Sequence, residues 1–148
     1  MARFLSAFVA VVFFAFPALA EKDPVNTSFI GSVAISGADP VAYFKEGKAI
    51  IGDSDYSYKW NGANWRFKSA ENRDAFAKNP SAYAPQFGGY CAYAVSRGYT
   101  ASIDPEAWSI VDGKLYLNYS ESVRNLWSKD VPGNIAKGEA NWPAVLKN

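Results

Sequence analysis

The one cysteine of this 148-residue chain, Cys91, stands in the run Pro85-Gln86-Phe87-Gly88-Gly89-Tyr90-Cys91-Ala92-Tyr93, where a thiol follows two glycines and lies between two tyrosines. Paired glycines let the backbone approach a partner closely, and an accessible thiol can bind a soft metal or form a mixed disulfide. Gly88, Gly89, Tyr90, Cys91 and Tyr93 are therefore the candidate ligand-binding residues, with Cys91 as candidate metal ligand and the two tyrosines shaping its pocket. Copper or another soft metal is the cofactor class that such a thiol admits, but copper(I) needs two or more soft ligands. The same pattern also suits a buried element starting at Gly88-Gly89, with the small Cys91 packed in the core.

The other chemistries are bounded by what the chain lacks. It contains no histidine, so Ser-His-Asp triads, Cys-His dyads and imidazole bases cannot be assembled, nor can a tetrahedral zinc site within one chain. Asp53-Ser54-Asp55 has the start of a calcium loop without its glycine at position six or its glutamate at position twelve. Neither a G-x-G-x-x-G nor a Walker pattern is present, so nucleotide chemistry has no support. Asp39, Asp104, Glu106 and Asp112 could serve a carboxylate-based enzyme, yet each sits where a helix cap or a turn needs it. The expectation is a non-enzymatic protein.

Twenty residues at the start read as a secretory leader. Arg3 supplies the positive charge, Phe4 to Phe16 the apolar run, and Ala18-Leu19-Ala20 the small-residue pattern, which predicts cleavage between Ala20 and Glu21. An apolar run of that length is too short to span a bilayer, so residues 21–148 are expected to be periplasmic or secreted, with no membrane anchor. Arg3 leaves with the leader, and fourteen of the fifteen basic residues remain against fourteen acidic ones. That balance gives no field to attract nucleic acid or an anionic membrane. A lone cysteine permits no intrachain disulfide, so packing must hold the fold; five Trp, nine Tyr and the five Phe beyond the leader are the material for it.

These residues must be positioned by short elements. Ser28 to Ser36, with the apolar run Phe29 to Ile35, reads as a strand, and Asp39-Pro40-Val41-Ala42-Tyr43 as a capped helical turn. The same Asx-Pro-x-Ala-aromatic pattern recurs at Asn79 to Tyr83 and Asp104 to Trp108, predicting three helical turns, each pinned by a buried ring. Asn61-Gly62 and Asp112-Gly113 predict two hairpins, Tyr56–Trp60 with Asn64–Phe67 and Trp108–Val111 with Lys114–Leu117. A capping serine follows each, Ser69 and Ser120, and then Arg73 and Arg124, Phe76 and Trp127, Lys78 and Lys129, all at a constant offset of 51. This is the trace of a duplicated hairpin-plus-helix unit or the recurrence of a common local solution. Asp130 to Asn148 reads as one helix from near Val131 and a tail anchored by Trp142. The fold class is α+β, a small single domain in which antiparallel hairpins alternate with short helices.

Asp39-Pro40-Val41, the hairpin Tyr58 to Phe67, Phe67-Lys68-Ser69, Asp74-Ala75-Phe76 and Asn79-Pro80-Ser81-Ala82-Tyr83 together resemble the YHS domain family. Pro85 to Tyr93 and Asp112 to Tyr119 resemble its longer exported bacterial members, so the likeness has a motif core at 39–83 and an extension at 84–148. The resemblance implies a metal-binding or accessory module, with cysteine ligands in the metal-associated members. Those ligand positions fall here at Ala42, Lys68 and Asn72, and the Tyr-His-Ser tripeptide is missing. The expected function is a periplasmic binding or accessory module, linked to metal or redox chemistry through Cys91. The alternative is an interaction module that docks a protein, glycan or planar cofactor on an aromatic surface, and a protein partner or a homodimer fits either.

Overall fold

The computed structural model describes residues 10–17 and 20–148. Arg3, Leu19 and most of the expected leader lie outside the described residues, and no described helix is long and apolar enough to cross a membrane. The chain forms α1 (Pro40–Lys45), the hairpin β1 (Asp53–Trp60) and β2 (Ala63–Phe67), α2 (Ala70–Lys78) and α3 (Pro80–Tyr83). It then repeats the order with α4 (Ala92–Ser96), β3 (Asp104–Val111) and β4 (Lys114–Asn118), α5 (Glu121–Ser128) and α6 (Val131–Asn141). Two antiparallel two-stranded sheets alternate with short helices, so the fold is α+β.

Local chemistry accounts for most of these elements. Asn61 and Asp112 take the left-handed conformation (φ 50° in each) and are followed by Gly62 (φ 75°) and Gly113 (φ 73°), which is what a tight two-residue hairpin turn requires. Ser69 accepts the Asn72 N–H and Ser120 the Val123 N–H, capping α2 and α5 identically.

The offset of 51 extends into three dimensions. Trp60 pairs with Ala63 as Val111 pairs with Lys114, and the register slips between Asp53 and Ser57 as it does between Asp104 and Trp108. Trp65 and Phe76 stack with centroids 5.1 Å apart and planes at 35°, and Tyr116 and Trp127 do so at 5.2 Å and 35°. Equal registers, bulges and ring pairs at one offset identify the two halves as copies of one structural unit rather than a chance recurrence of turns.

The two units share their interior. Along β4, Leu115 and Leu117 enter a core with Trp65, Phe67 and Phe76 of the first unit, while Tyr116 enters a second core with Phe87, Trp127 and Val145. Alternation along a strand buried on both faces is what lets one element serve two cores.

Three expectations need correction. Phe29 to Ile35 is not a strand: Gly31 (φ 77°) and Ser32 (φ 48°) reverse the chain, the Ser28 N–H donates to the Val33 carbonyl, and Phe29 and Ile30 point fully outward. Only Ala34 and Ile35 of that run reach the core. Asp104 to Trp108 is not a helical turn but the start of β3; Asp104 accepts the Glu106 N–H and pairs with Asn118, so sheet pairing overrides the proline-led helix start. Of the three anchoring rings only Tyr43 is buried, Tyr83 and Trp108 being half-exposed. Asp130 to Asn148 is, as expected, one helix from Val131 and a tail: α6 ends as Trp142 leaves helical geometry before Pro143, Trp142 packs on Phe87 and Tyr90, and a 3₁₀ turn follows at Ala144–Lys147.

Candidate functional site

Gly88 and Gly89 are both left-handed, with φ of 62° and 77°. A Cβ on Gly88 would strike the Pro24 carbonyl and one on Gly89 the Ile35 side chain. The backbone approach that the pair allows is thus to the chain's own N-terminal segment: the Asn26 N–H donates to the Gly88 carbonyl (2.8 Å) and the Asn26 amide to that of Gly89 (3.1 Å). Tyr90 turns the same way. Its hydroxyl donates to the Asp23 carbonyl (2.8 Å), its ring faces Trp142, and burial, then the Asp23 charge, holds its hydroxyl above the usual pKa.

Cys91 and Tyr93 face elsewhere. The Cys91 N–H donates to the Ala101 carbonyl (3.0 Å), and its side chain is buried with the sulfur 3.5 Å from Asn118 Oδ1. The same oxygen accepts the Tyr93 N–H (3.0 Å), so Asn118 at the end of β4 caps the first turn of α4 and receives the thiol proton. Asn118 Nδ2 is buried without a partner among the described residues.

Above this floor lies a cleft of about 390 Å³ lined by Cys91, Tyr93, Ala94, Tyr99, Ala101, Tyr119, Val123 and Leu126. α4, the segment before β3, the end of β4 and α5 each supply part of the wall. None of the lining residues carries a charge. The rim is apolar and outward-facing: Tyr99 is 52% exposed, Tyr119 56% and Leu126 43%. Arg97 stands beside the cleft with its guanidinium 5.6 Å from the Tyr93 ring centre, a cation–π contact.

Fifty-one residues earlier, the positions matching Tyr93, Tyr119 and Val123 are Ala42, Lys68 and Asn72, and they surround a filled space. Asp39, fully buried, accepts the N–H groups of Val41 (2.8 Å) and Ala42 (3.2 Å) on one oxygen and those of Lys68 (2.9 Å) and the Asn72 amide (2.9 Å) on the other. Lys68 pairs with Glu46 over the top. One unit seals this junction with a carboxylate network, whereas the other leaves it as the open cleft.

The residues expected to act together therefore separate. Cys91 and Tyr93 share the cleft, while Gly88, Gly89 and Tyr90 secure the N-terminal segment. The expectation that Tyr90 shapes the thiol's pocket is corrected, because helix α4 begins between it and Tyr93 and sends the two rings apart. Sequence reading missed Tyr99, Ala101, Asn118, Tyr119, Val123 and Leu126; the offset of 51 was the only signal able to find Tyr119 and Val123.

The donor set around Cys91 does not fit a soft metal within one chain, since its nearest polar neighbour is an amide oxygen and the sequence holds no second thiol or imidazole. Among the described residues no three His, Cys, Asp or Glu side chains gather as metal ligands. Asp112 sits in a hairpin turn, and Asp53 and Asp104 open β1 and β3, Asp53 accepting the Asp55 N–H (2.9 Å) as Asp104 accepts that of Glu106 (2.9 Å). Comparison with protein-family models, with curated proteins and with solved structures finds no match to this chain.

Proposed function

We propose that this chain is a non-enzymatic, exported binding module of the YHS type that holds an uncharged, planar, largely apolar small molecule in the cleft over Cys91. The cleft itself carries the reading. About 390 Å³ is within the range of small-molecule pockets, the lining offers no charge, and exposed Tyr99, Tyr119 and Leu126 cluster at its mouth. Arg97 beside the cleft is engaged by the Tyr93 ring and no lining residue carries a countercharge for an ion, whereas a flat apolar body would meet tyrosine faces on the walls and a polarizable sulfur on the floor. The burial of Cys91, with its proton directed at Asn118, favours a packing role for the thiol over a reactive one. The family reading is supported by the way Ala42, Lys68 and Asn72, where the metal-associated members carry cysteines, converge on Asp39.

The test uses Nile red, an uncharged planar dye, titrated into the mature protein and into Val123→Trp, which fills the cleft from the half-buried face of α5. Saturable one-to-one fluorescence enhancement that Val123→Trp abolishes, with unfolding midpoint retained, is the expected result. No enhancement, or one unchanged by Val123→Trp, overturns it.

A further inference from the structure

A second cavity, away from Cys91, has a different chemistry. It measures about 330 Å³, lies between the first hairpin, the segment after α3 and the C-terminal tail, and is walled by the half-buried Trp60 and Trp142, with the buried Trp65 behind them. Its polar lining consists of Asn61, Ser81 and Gln86, with no charged residue. None of these three side chains makes a hydrogen bond to another described residue. Asn61 and Ser81 are exposed, and Gln86 is half-buried. The indole N–H of Trp65 is engaged by the Trp60 carbonyl (3.0 Å), which fixes the ring's orientation.

We infer that this cavity is a binding site for a neutral oligosaccharide. A sugar ring offers apolar C–H faces to indoles and hydroxyls that both donate and accept. Asn, Gln and Ser likewise both donate and accept, so each can exchange hydrogen bonds with hydroxyls without stranding an atom. A proline-rich segment would also stack on indoles, but its backbone lacks N–H donors and would leave the amide oxygens of Asn61 and Gln86 unmet. An acidic or basic ligand would find no countercharge. The site draws on both ends of the chain, since Pro24 and Val25 line it together with Trp142 and Leu146.

Two variants probe it without disturbing the core. Asn61→Gly keeps the left-handed turn and removes the amide, and is paired with Gln86→Ala; Ser81→Trp, on an exposed face of α3, obstructs the cavity. Tryptophan fluorescence and calorimetry are used to titrate the mature protein with neutral gluco-, chito- and xylo-hexaoses and with a proline-rich decapeptide. Saturable binding of a hexaose is expected, weakened about tenfold in the double variant by loss of two hydrogen-bonding groups and abolished in Ser81→Trp. Absence of hexaose binding, binding unaffected by both variants, or binding of the peptide in place of the sugars overturns the assignment. Val123→Trp should leave hexaose binding unchanged, which keeps this result separate from that of the cleft.

Discussion

Asp39 has no exposed surface and accepts four hydrogen bonds, from Val41, Ala42, Lys68 and Asn72, so a single carboxylate joins the start of α1 to the end of β2 and the first turn of α2. Asp39→Ala strands several buried donors and should cost about 3 kcal/mol or more in urea unfolding followed by tryptophan fluorescence. A loss below about 1 kcal/mol would mean the network is dispensable. Tyr43, beneath that network, donates to the Pro105 carbonyl (2.7 Å) and packs on Trp108. Burial above all, then Glu106, Asp104 and Asp39, raises its pKa well above the ordinary 10.0. The folded state therefore keeps a proton that the unfolded chain releases, so stability is full below pH 10.0 and falls as pH rises beyond it. Burial raises Tyr90 and Tyr116 in the same direction. Tyr43→Phe should lower stability by about 1 kcal/mol at neutral pH through the lost hydrogen bond, yet flatten the alkaline decline. An alkaline unfolding curve as steep as the parent's would refute that linkage.

At the scale of elements, the two hairpin-helix units invite a direct comparison. Ser69 and Ser120 cap α2 and α5 by the same bond to the third residue onward, each 3.2 Å. Ser69→Ala and Ser120→Ala should each cost about 1 kcal/mol, and their equality is the sharper expectation. Chemical denaturation of the two variants side by side provides the check, and a large asymmetry would show that the surroundings, not the cap, set the cost. The units diverge where they close: Asp39, Lys68 and Glu46 fill the first junction, whereas Tyr93, Tyr119 and Val123 leave the second open.

For the whole molecule, the glycine pair acts as the fastener. Gly88 sits against the Pro24 carbonyl, and Asn26 bonds both glycine carbonyls, tying the N-terminal segment over Phe87 and Trp142. Gly88→Ala adds a methyl group against backbone at a left-handed φ and should cost about 2 kcal/mol or more. Limited proteolysis should then cut within residues 21–27 in the variant before the parent. Equal resistance in both would argue that the segment is held elsewhere.

Features of short range were legible in the sequence. Asn61-Gly62 and Asp112-Gly113 specify hairpins because few residues tolerate left-handed backbone, and Ser69, Ser120 and Asp39 specify helix starts because their oxygens satisfy free N–H groups over two or three residues. The α+β class follows from their alternation, and the absence of histidine removes whole reaction classes. What the tertiary structure decided was long-range competition. Asp104-Pro105 has the local grammar of a helix but pairs with β4, and Phe29-Ile30 has that of a strand but finds no buried surface. Tyr90 and Tyr93 are three residues apart and both touch the second core, yet only Tyr93 also packs on the first and lines the cleft, and Cys91 meets Tyr99, Tyr119 and Leu126 only because α4 and α5 pack beside the end of β4. Backbone preferences act through neighbouring residues and can be read in order along the chain, whereas a cleft is a gap between elements and exists only once their packing is fixed.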